Sequence, residues 1–295
     1  MSALLSGLAM RICVLSILLS TFHCSATKPW FGDEKSGFIL QYRYEGDGET
    51  RYQAVFEQNY FTEFSGRSYD LGSVSKALLA MAKTGEDSSG SNVLNITVEE
   101  LDMALTGSLG ERSLEDGGLK GRRFPLTLTR NGEISDFGGS DTLKVSLNLN
   151  GPGRYTVKEF FENYTGSFFP VLPTGPRKIG ETWEGGREFN QNIGGFDILF
   201  QIESVTTLEG FESVGTIRCL KLQSEGQFVA EGSASEGRRR LDGEGEIQTI
   251  TLFDYQTGRL IRHDLDFFGE FTMAQAQAGT IPATLESKIH VQQRF

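Results

Sequence analysis

Beyond residue 36 the apolar positions recur mostly at every second residue, the spacing of strands with one buried face. Phe38, Leu40, Tyr42 and Tyr44 alternate with Ile39, Gln41, Arg43 and Glu45. Gly46-Asp47-Gly48 follows with hairpin chemistry, and the return run places Tyr52, Ala54, Phe56, Tyr60 and Phe64 on one side. Leu94, Ile96 and Val98 start another strand, after which the apolar set moves to Leu101, Met103 and Leu105. That one-residue slip at Glu99-Glu100 predicts a β-bulge. Phe124, Leu126 and Leu128 lead into Asn131-Gly132, a strong short hairpin signal, and Leu143, Val145, Leu147 and Leu149 form one more one-sided run.

Leu260 to Met273 alternates furthest. Ile261, Leu265, Phe267, Phe271 and Met273 share a face with His263 and Gly269; Arg262, Asp264, Asp266, Phe268 and Glu270 take the other. A strand of that length spans roughly 45 Å at ~3.4 Å per residue and needs a large curved sheet, with Gly269 a natural place to bend. Two stretches predict short helices. Val74, Ala77, Leu78 and Met81 have helical spacing and stop at Gly85. Thr156 to Glu159 is a capping box opening onto Phe160, Phe161, Tyr164 and Phe168, before Pro170 and Pro173. The expected fold is therefore mainly β: a large curved antiparallel sheet or half-barrel with one or two short helices. Strand–Asn-Gly–strand at 124–137 and strand–Gln-Thr-Gly–strand at 245–271 suggest a duplicated meander, with halves at about 37–150 and 177–275 joined by 156–176.

Met1 to Ala26 reads as a secretory signal peptide. Arg11 is the positive charge, Ile12 to Phe22 the apolar stretch, and Cys24-Ser25-Ala26 the small residues at a cleavage site. Residues 27–295 are then one β-rich extracytoplasmic domain, periplasmic or extracellular. Cleavage removes Cys13 and Cys24 and leaves Cys219, which excludes an internal disulfide and reads as a small buried hydrophobe beside Leu220 and Leu222. No later apolar run is long enough to be a transmembrane helix.

Composition narrows the function classes. With 28 Lys plus Arg against 39 Asp plus Glu, the net charge of −11 disfavours nucleic acid and anionic lipid surfaces. There is no zinc-binding His-Glu-x-x-His, no nucleophile elbow and no phosphate-binding loop. Only His263 and His290 follow the leader, so neither catalysis by histidine nor a transition-metal cofactor is expected. Asp264 and Asp266 are neighbours on one strand face, where solvation is the ordinary meaning and a glycosidase-type pair or Ca²⁺ ion the sharper one. Arg238-Arg239-Arg240 reads as a solvated loop or strand end. Asn95-Ile96-Thr97 and Asn163-Tyr164-Thr165 match the glycosylation sequon.

Phe168 to Trp183 reads FFPVLPTGPRKIGETW, a proline-rich turn and then Gly180-x-x-Trp183. Together with Leu126 to Ile134, Phe253 to Leu260 and the opening Tyr42-x-Tyr44-x-Gly46, this order resembles a bacterial exported β-rich family of unknown function. The resemblance spans about residues 37–275 and implies no catalytic residue. More loosely, a curved sheet with helices on its concave side is similar to lipoprotein-carrier folds, which implies acyl-chain binding. The expectation is an exported soluble binding or interaction protein whose partner is a lipid, another apolar ligand or a protein. The expected ligand-lining residues are Phe160, Phe161, Tyr164, Trp183, Phe267 and Phe271. If the concavity is packed solid, the protein is an interaction module or scaffold. The alternative is an outer-membrane β-barrel, consistent with one-sided strands and a terminal Phe295; a carboxylate-dependent hydrolase is third.

Overall fold

The computed structural model describes residues 31–44, 48–107, 110–114, 118–136, 168–193, 196–234, 239–275 and 279–295. The leader, the strand expected over 143–149 and the helix expected to open at Thr156 lie outside them, as do Phe160, Phe161 and Tyr164. A short ribbon, β1 (Gly32–Asp33) with β2 (Gly37–Phe38), precedes one antiparallel sheet. The first run of strands in that sheet is β3 (Thr50–Phe64), β4 (Arg67–Glu86), β5 (Asn92–Gly107), β6 (Arg112–Leu114), β7 (Arg123–Leu128) and β8 (Ile134–Asp136). The second is β9 (Thr182–Ile193), β10 (Phe196–Val214), β11 (Ile217–Ala234), β12 (Arg239–Asp254), β13 (Arg259–Gln275) and β14 (Gly279–Arg294).

The sheet order is β8-β7-β5-β4-β3-β14-β13-β12-β11-β10-β9, with β6 also paired to β5. Each run is a meander, and the two are welded where the last strand pairs with the first of the sheet, Val291 opposite Ala54 and Ile289 opposite Phe56. The sheet is not closed, since β8 and β9 are not paired with each other among the described residues. Strands of 15 to 20 residues dominate, the longest being β4 with 20.

Much of the local reading holds. In β5, Glu100 pairs with Leu78 and Val98 with Leu79, so Glu99 is the extra residue of a bulge. The Asn131-Gly132 turn joins β7 to β8, and Gly258, at φ +69°, closes the turn between β12 and β13. Residues 260–273 lie within the 17-residue β13, whose pairing runs unbroken through Gly269.

Two expectations need correction. Residues 74–81 are not helical but lie inside β4, with Ala77, Leu79 and Met81 buried on the inner face. Apolar residues on both faces of this segment mimic helical spacing, and a full set of partners on β3 and β5 overrides weak local propensity. Nor do residues 38–44 form a hairpin with the run after Thr50. Both edges of β3 are occupied, by β4 and β14. The alternation correctly identified Phe38, Leu40, Tyr42 and Tyr44 as buried, at 0–3% exposure, but alternation reports a buried face and not a hydrogen-bonding partner.

Those residues instead form a strap across one end of the inner face. Phe38 and Arg177 exchange backbone hydrogen bonds, the Tyr42 amide donates to the Arg130 carbonyl, and the Arg43 amide donates to Gly258. Arg130 lies in the β7–β8 turn and Gly258 in the β12–β13 turn, with β5, β4, β3 and β14 intervening in the sheet. In a flat sheet these strands alone would separate the turns by more than ~20 Å. Adjacent strap residues reach both, so the sheet is rolled with its apolar face inward.

Around the strap lies the larger core. Tyr42 stacks edge-on with Phe169 and Phe253, Tyr52 with Phe168, and Phe38 with Phe211 and Tyr255. The Tyr42 hydroxyl donates to the Pro170 carbonyl, and Leu172 donates its amide to Asn131. The segment at 168–172 thus closes over the strap from the other side.

Burial drives the phenols of Tyr42, Tyr44 and Tyr52 up from their ordinary value of 10.0, to about 12 for Tyr52. The unfolded chain releases these protons first, so the stability they confer is complete below pH 10 and lost as pH rises toward 12. Urea midpoints should therefore fall steeply over that interval, and less steeply in Tyr52→Phe. Tyr42→Ala should cost about 3–5 kcal/mol in urea unfolding, as for other large-to-small aromatic truncations, whereas Phe61→Ala on the outer face should cost about 0.5 kcal/mol or less.

Candidate functional site: the aromatic end of the inner face

Pairing registers define the inner face beyond the strap. Phe228 on β11 sits opposite Ile202 on β10 and Gly245 on β12; Gly245 faces Gly269 on β13, and Gly269 faces Leu285 on β14. Phe200, Phe228 and Phe271 are buried in a second apolar cluster, with Tyr60, Phe189, Ile202, Phe267, Met273 and Leu285 only partly buried around it.

Glycines shape this cluster. A β-carbon on Gly269 would lie 2.6 Å from Cζ of Phe228 and 2.7 Å from Cε2 of Phe271. One on Gly243 would lie 2.3 Å from Phe271, and one on Gly245 2.6 Å from Phe228. The rings thus lie flat on bare backbone, in space only glycine leaves. Phe228 stacks on Phe267 with centroids 4.3 Å apart, and Phe189 stacks on Phe200 at 5.1 Å. Phe200 and Phe267 come within 6.4 Å although β11 and β12 separate their strands, which again requires the sheet to curl around them.

Between this cluster and the strap the inner face turns polar and reaches solvent. Ser204, Ser224, Gly226 and Thr249 are half-buried on β10 to β12, and Gln58 and Ser73 are exposed or half-buried on β3 and β4; Arg187 and Leu71 lie level with the cluster, opposite Ile202 and Tyr60, and Tyr69 beyond it, opposite Thr62. Leu71 and Tyr69 remain 48% and 45% exposed. The hydroxyls of Thr206 and Ser224 bond to each other at 2.5 Å. Water reaches Arg187, yet the protein around it desolvates the guanidinium and lowers its pKa, as expected inside a concavity.

Of the expected lining residues within the described chain, Phe267 and Phe271 meet in this cluster through Phe228. Trp183 does not join them; it packs against the strap-side core, with the Arg177 guanidinium 5.7 Å from its ring centre. Sequence reasoning missed Phe189, Phe200, Phe228 and Tyr60, whose convergence depends on strand order. The Gly-Glu-Gly of 243–245 is the local signal, since two glycines on one strand face leave room for rings from neighbouring strands.

The remaining chemistry lies elsewhere. Asp264 accepts from Arg262 Nε at 2.6 Å and pairs with His290 Nδ1 at 2.5 Å on the outer face. His263 is buried against Thr251, 2.9 Å away. Among the described residues no group of three or more His, Cys, Asp or Glu is placed to hold a metal ion. Arg239 begins β12 and lies over Phe196, while Arg240 pairs with Asp242. Cys219 is fully buried with Leu252 and Ile261, and burial pushes its thiol up to about 12.

The outer face is charged. Glu184, Val205, Glu225, Gln248, Asp266, Lys288 and Glu57 stand side by side on seven adjacent strands, all exposed. No described helix is long and apolar enough to cross a membrane.

No family model matches the chain, and no curated protein matches it. Among solved structures it is similar to Pseudomonas putida OprB at 6% identity, covering 84% of this chain and 94% of that one, with a TM-score of 0.26. An exported protein with a YmcC-like fold from Bacteroides fragilis shares 10% identity over 87% and 100% of the two chains, with a TM-score of 0.22. A DUF1329 family protein from Desulfovibrio piger shares 9% identity over 85% of each, with a TM-score of 0.14. At such scores these likenesses carry no argument about function.

Two outcomes test the site's construction. Gly269→Ala should destabilise by about 1–3 kcal/mol through overpacking, and adding Phe228→Leu should recover part of that loss in a double-mutant cycle read by urea unfolding. Cys219 should resist thiol reagents in buffer and react fully in denaturant, a contrast that mass spectrometry records directly.

Proposed function

We propose that the protein is an exported, soluble binding protein that holds an apolar ligand at the aromatic end of its rolled sheet. The observation that carries this reading is the pairing of one filled end with one incompletely covered end. The strap seals the first, whereas Phe189, Phe267, Met273 and Leu285 stay partly accessible and Leu71 and Tyr69 are exposed on the same inner face. A pocket with such a lining removes acyl or ring carbon from water at roughly 25 cal/mol per Å² buried.

The outer face supports this reading over the outer-membrane barrel. A lipid-facing barrel needs an apolar outward band about 25 Å tall, and a Lys or Arg at its midplane costs about 2–4 kcal/mol. Here the outward row at mid-height holds Glu225, Asp266, Lys288 and Glu57. Binding, not catalysis, suits the inner face, where Phe, Leu and Ser outnumber titratable groups. Export rests on the leader-like first 26 residues.

Native mass spectrometry of protein purified from its own host should show a co-purifying acyl chain; a clean apo mass overturns the reading. Phe267→Ala should weaken uptake of a fluorescent fatty acid about tenfold, equivalent to about 1.4 kcal/mol, with the fold intact by circular dichroism.

A further inference from the structure

Arg187 is unusual in its setting. It belongs to β9, the strand at one edge of the sheet, and its register partner is Ile202 of the aromatic cluster. Trp183, Gly185 and Phe189 share its face, so the guanidinium projects to the apolar side of the sheet while Glu184 and Glu188 take the outer side. The centre of the Phe189 ring lies 5.3 Å from the guanidinium carbon, and among the described residues it has no carboxylate partner. This is a cation facing a greasy surface in a chain whose acids lie mostly on the other face. A structural arginine on an apolar face ordinarily has an ion pair or a carbonyl to satisfy its five donors.

The ground beside it is small and polar. Gly185 carries no side chain and faces Ser204, whose hydroxyl lies on the neighbouring strand, while Gly226 is closed in by Glu203, Ser204 and Ile247. On the far side of Ile202 rise Phe200, Phe228 and Phe267. A positive fork and a hydroxyl thus adjoin an aromatic floor, the complement of a molecule with an anionic head and a hydrocarbon tail.

Resting on the binding function above, we propose that the ligand is a single-chain anionic amphiphile, its carboxylate or phosphate head held by Arg187 and its acyl chain laid over Phe189 and Phe267. The position on an edge strand places the head near the rim, where water still reaches the guanidinium, and directs the tail inward over the partly buried Phe267, Met273 and Leu285. Desolvation of Arg187 costs the empty protein some stability, and an arriving anion relieves it.

The test compares ligands of one chain length on the full protein, using a displaceable fluorescent fatty acid: palmitate, lysophosphatidic acid with a palmitoyl chain, and uncharged monopalmitoylglycerol. The acid or the phosphate should bind at least tenfold tighter than the glycerol ester, and Arg187→Gln should erase that advantage while leaving monopalmitoylglycerol unchanged. Arg187→Lys should restore part of it, and the preference should shrink with added salt. Whichever anionic head binds tighter identifies the headgroup chemistry. Equal affinity of the wild type for charged and uncharged ligands overturns the role of Arg187 and leaves the binding pocket standing. Failure of all three to bind overturns the pocket itself. The wild-type comparison requires no variant to fold.

Discussion

The rolled sheet depends on the two hydrogen bonds made by successive residues of the strap. Tyr42 and Arg43 donate their amides to Arg130 and Gly258, carbonyls at the turns of two hairpins that lie far apart in the sheet order. Ladder bonds between neighbouring strands fix spacing and twist but leave curvature soft, because each pair tolerates a range of twist angles. A short rigid crosspiece removes that freedom. Gly258 and Gly132 are where the crosspiece makes its closest approaches: a side chain at Gly258 would meet the Gln41 carbonyl at 2.6 Å, and one at Gly132 would meet the Tyr42 ring at 2.6 Å. Curvature, once set at that end, propagates along strands of 15 to 20 residues to the aromatic end.

The inner surface is finite, and the protein fills its two ends differently. At the strap end the chain inserts its own aromatics, Phe38, Tyr42, Phe168 and Phe169, and reaches essentially complete burial. At the other end the rings come from the sheet itself and lie flat on glycine, which thins the wall and lowers the floor. Side chains at Gly243, Gly245 or Gly269 would run into Phe228 or Phe271, so these glycines give up backbone entropy to seat the rings. Phe189, Phe267, Met273 and Leu285 around them stay only partly covered.

How much of this was legible in the sequence follows from what alternation encodes. Period two reported strands, buried faces, the Glu99 bulge and the glycine turns at 131–132 and 256–258, because each is a local property of the chain. The same signal misled at 38–44, where a strap outside the large sheet shows the alternation of a strand, and at 74–81, where apolar residues on both faces of a central strand imitate a helix. The aromatic cluster was half visible. Phe267 and Phe271 belong to one obvious run, but Phe189, Phe200 and Phe228 join them only once β9, β10 and β11 are stacked in order. Arg187, within Glu-Gly-Gly-Arg-Glu-Phe, looks like ordinary surface text; its inward position is fixed by pairing with Ile202, a fact of register that no local pattern carries.

Charge separation between the faces ties these points together. The outer surface gathers Glu57, Glu184, Glu225, Glu246, Asp266, Glu270 and Glu286, so its field resists close approach to anionic bilayers and to other copies of the chain. An anionic amphiphile meets the same repulsion everywhere on the exterior and finds relief at the inner rim, where Arg187 lacks a carboxylate partner among the described residues. Self-repulsion on the outside and an inward-facing guanidinium together favour the rim for the proposed ligand. The partly covered rings of Phe189 and Phe267 then supply what charge alone does not, an apolar surface for the attached chain.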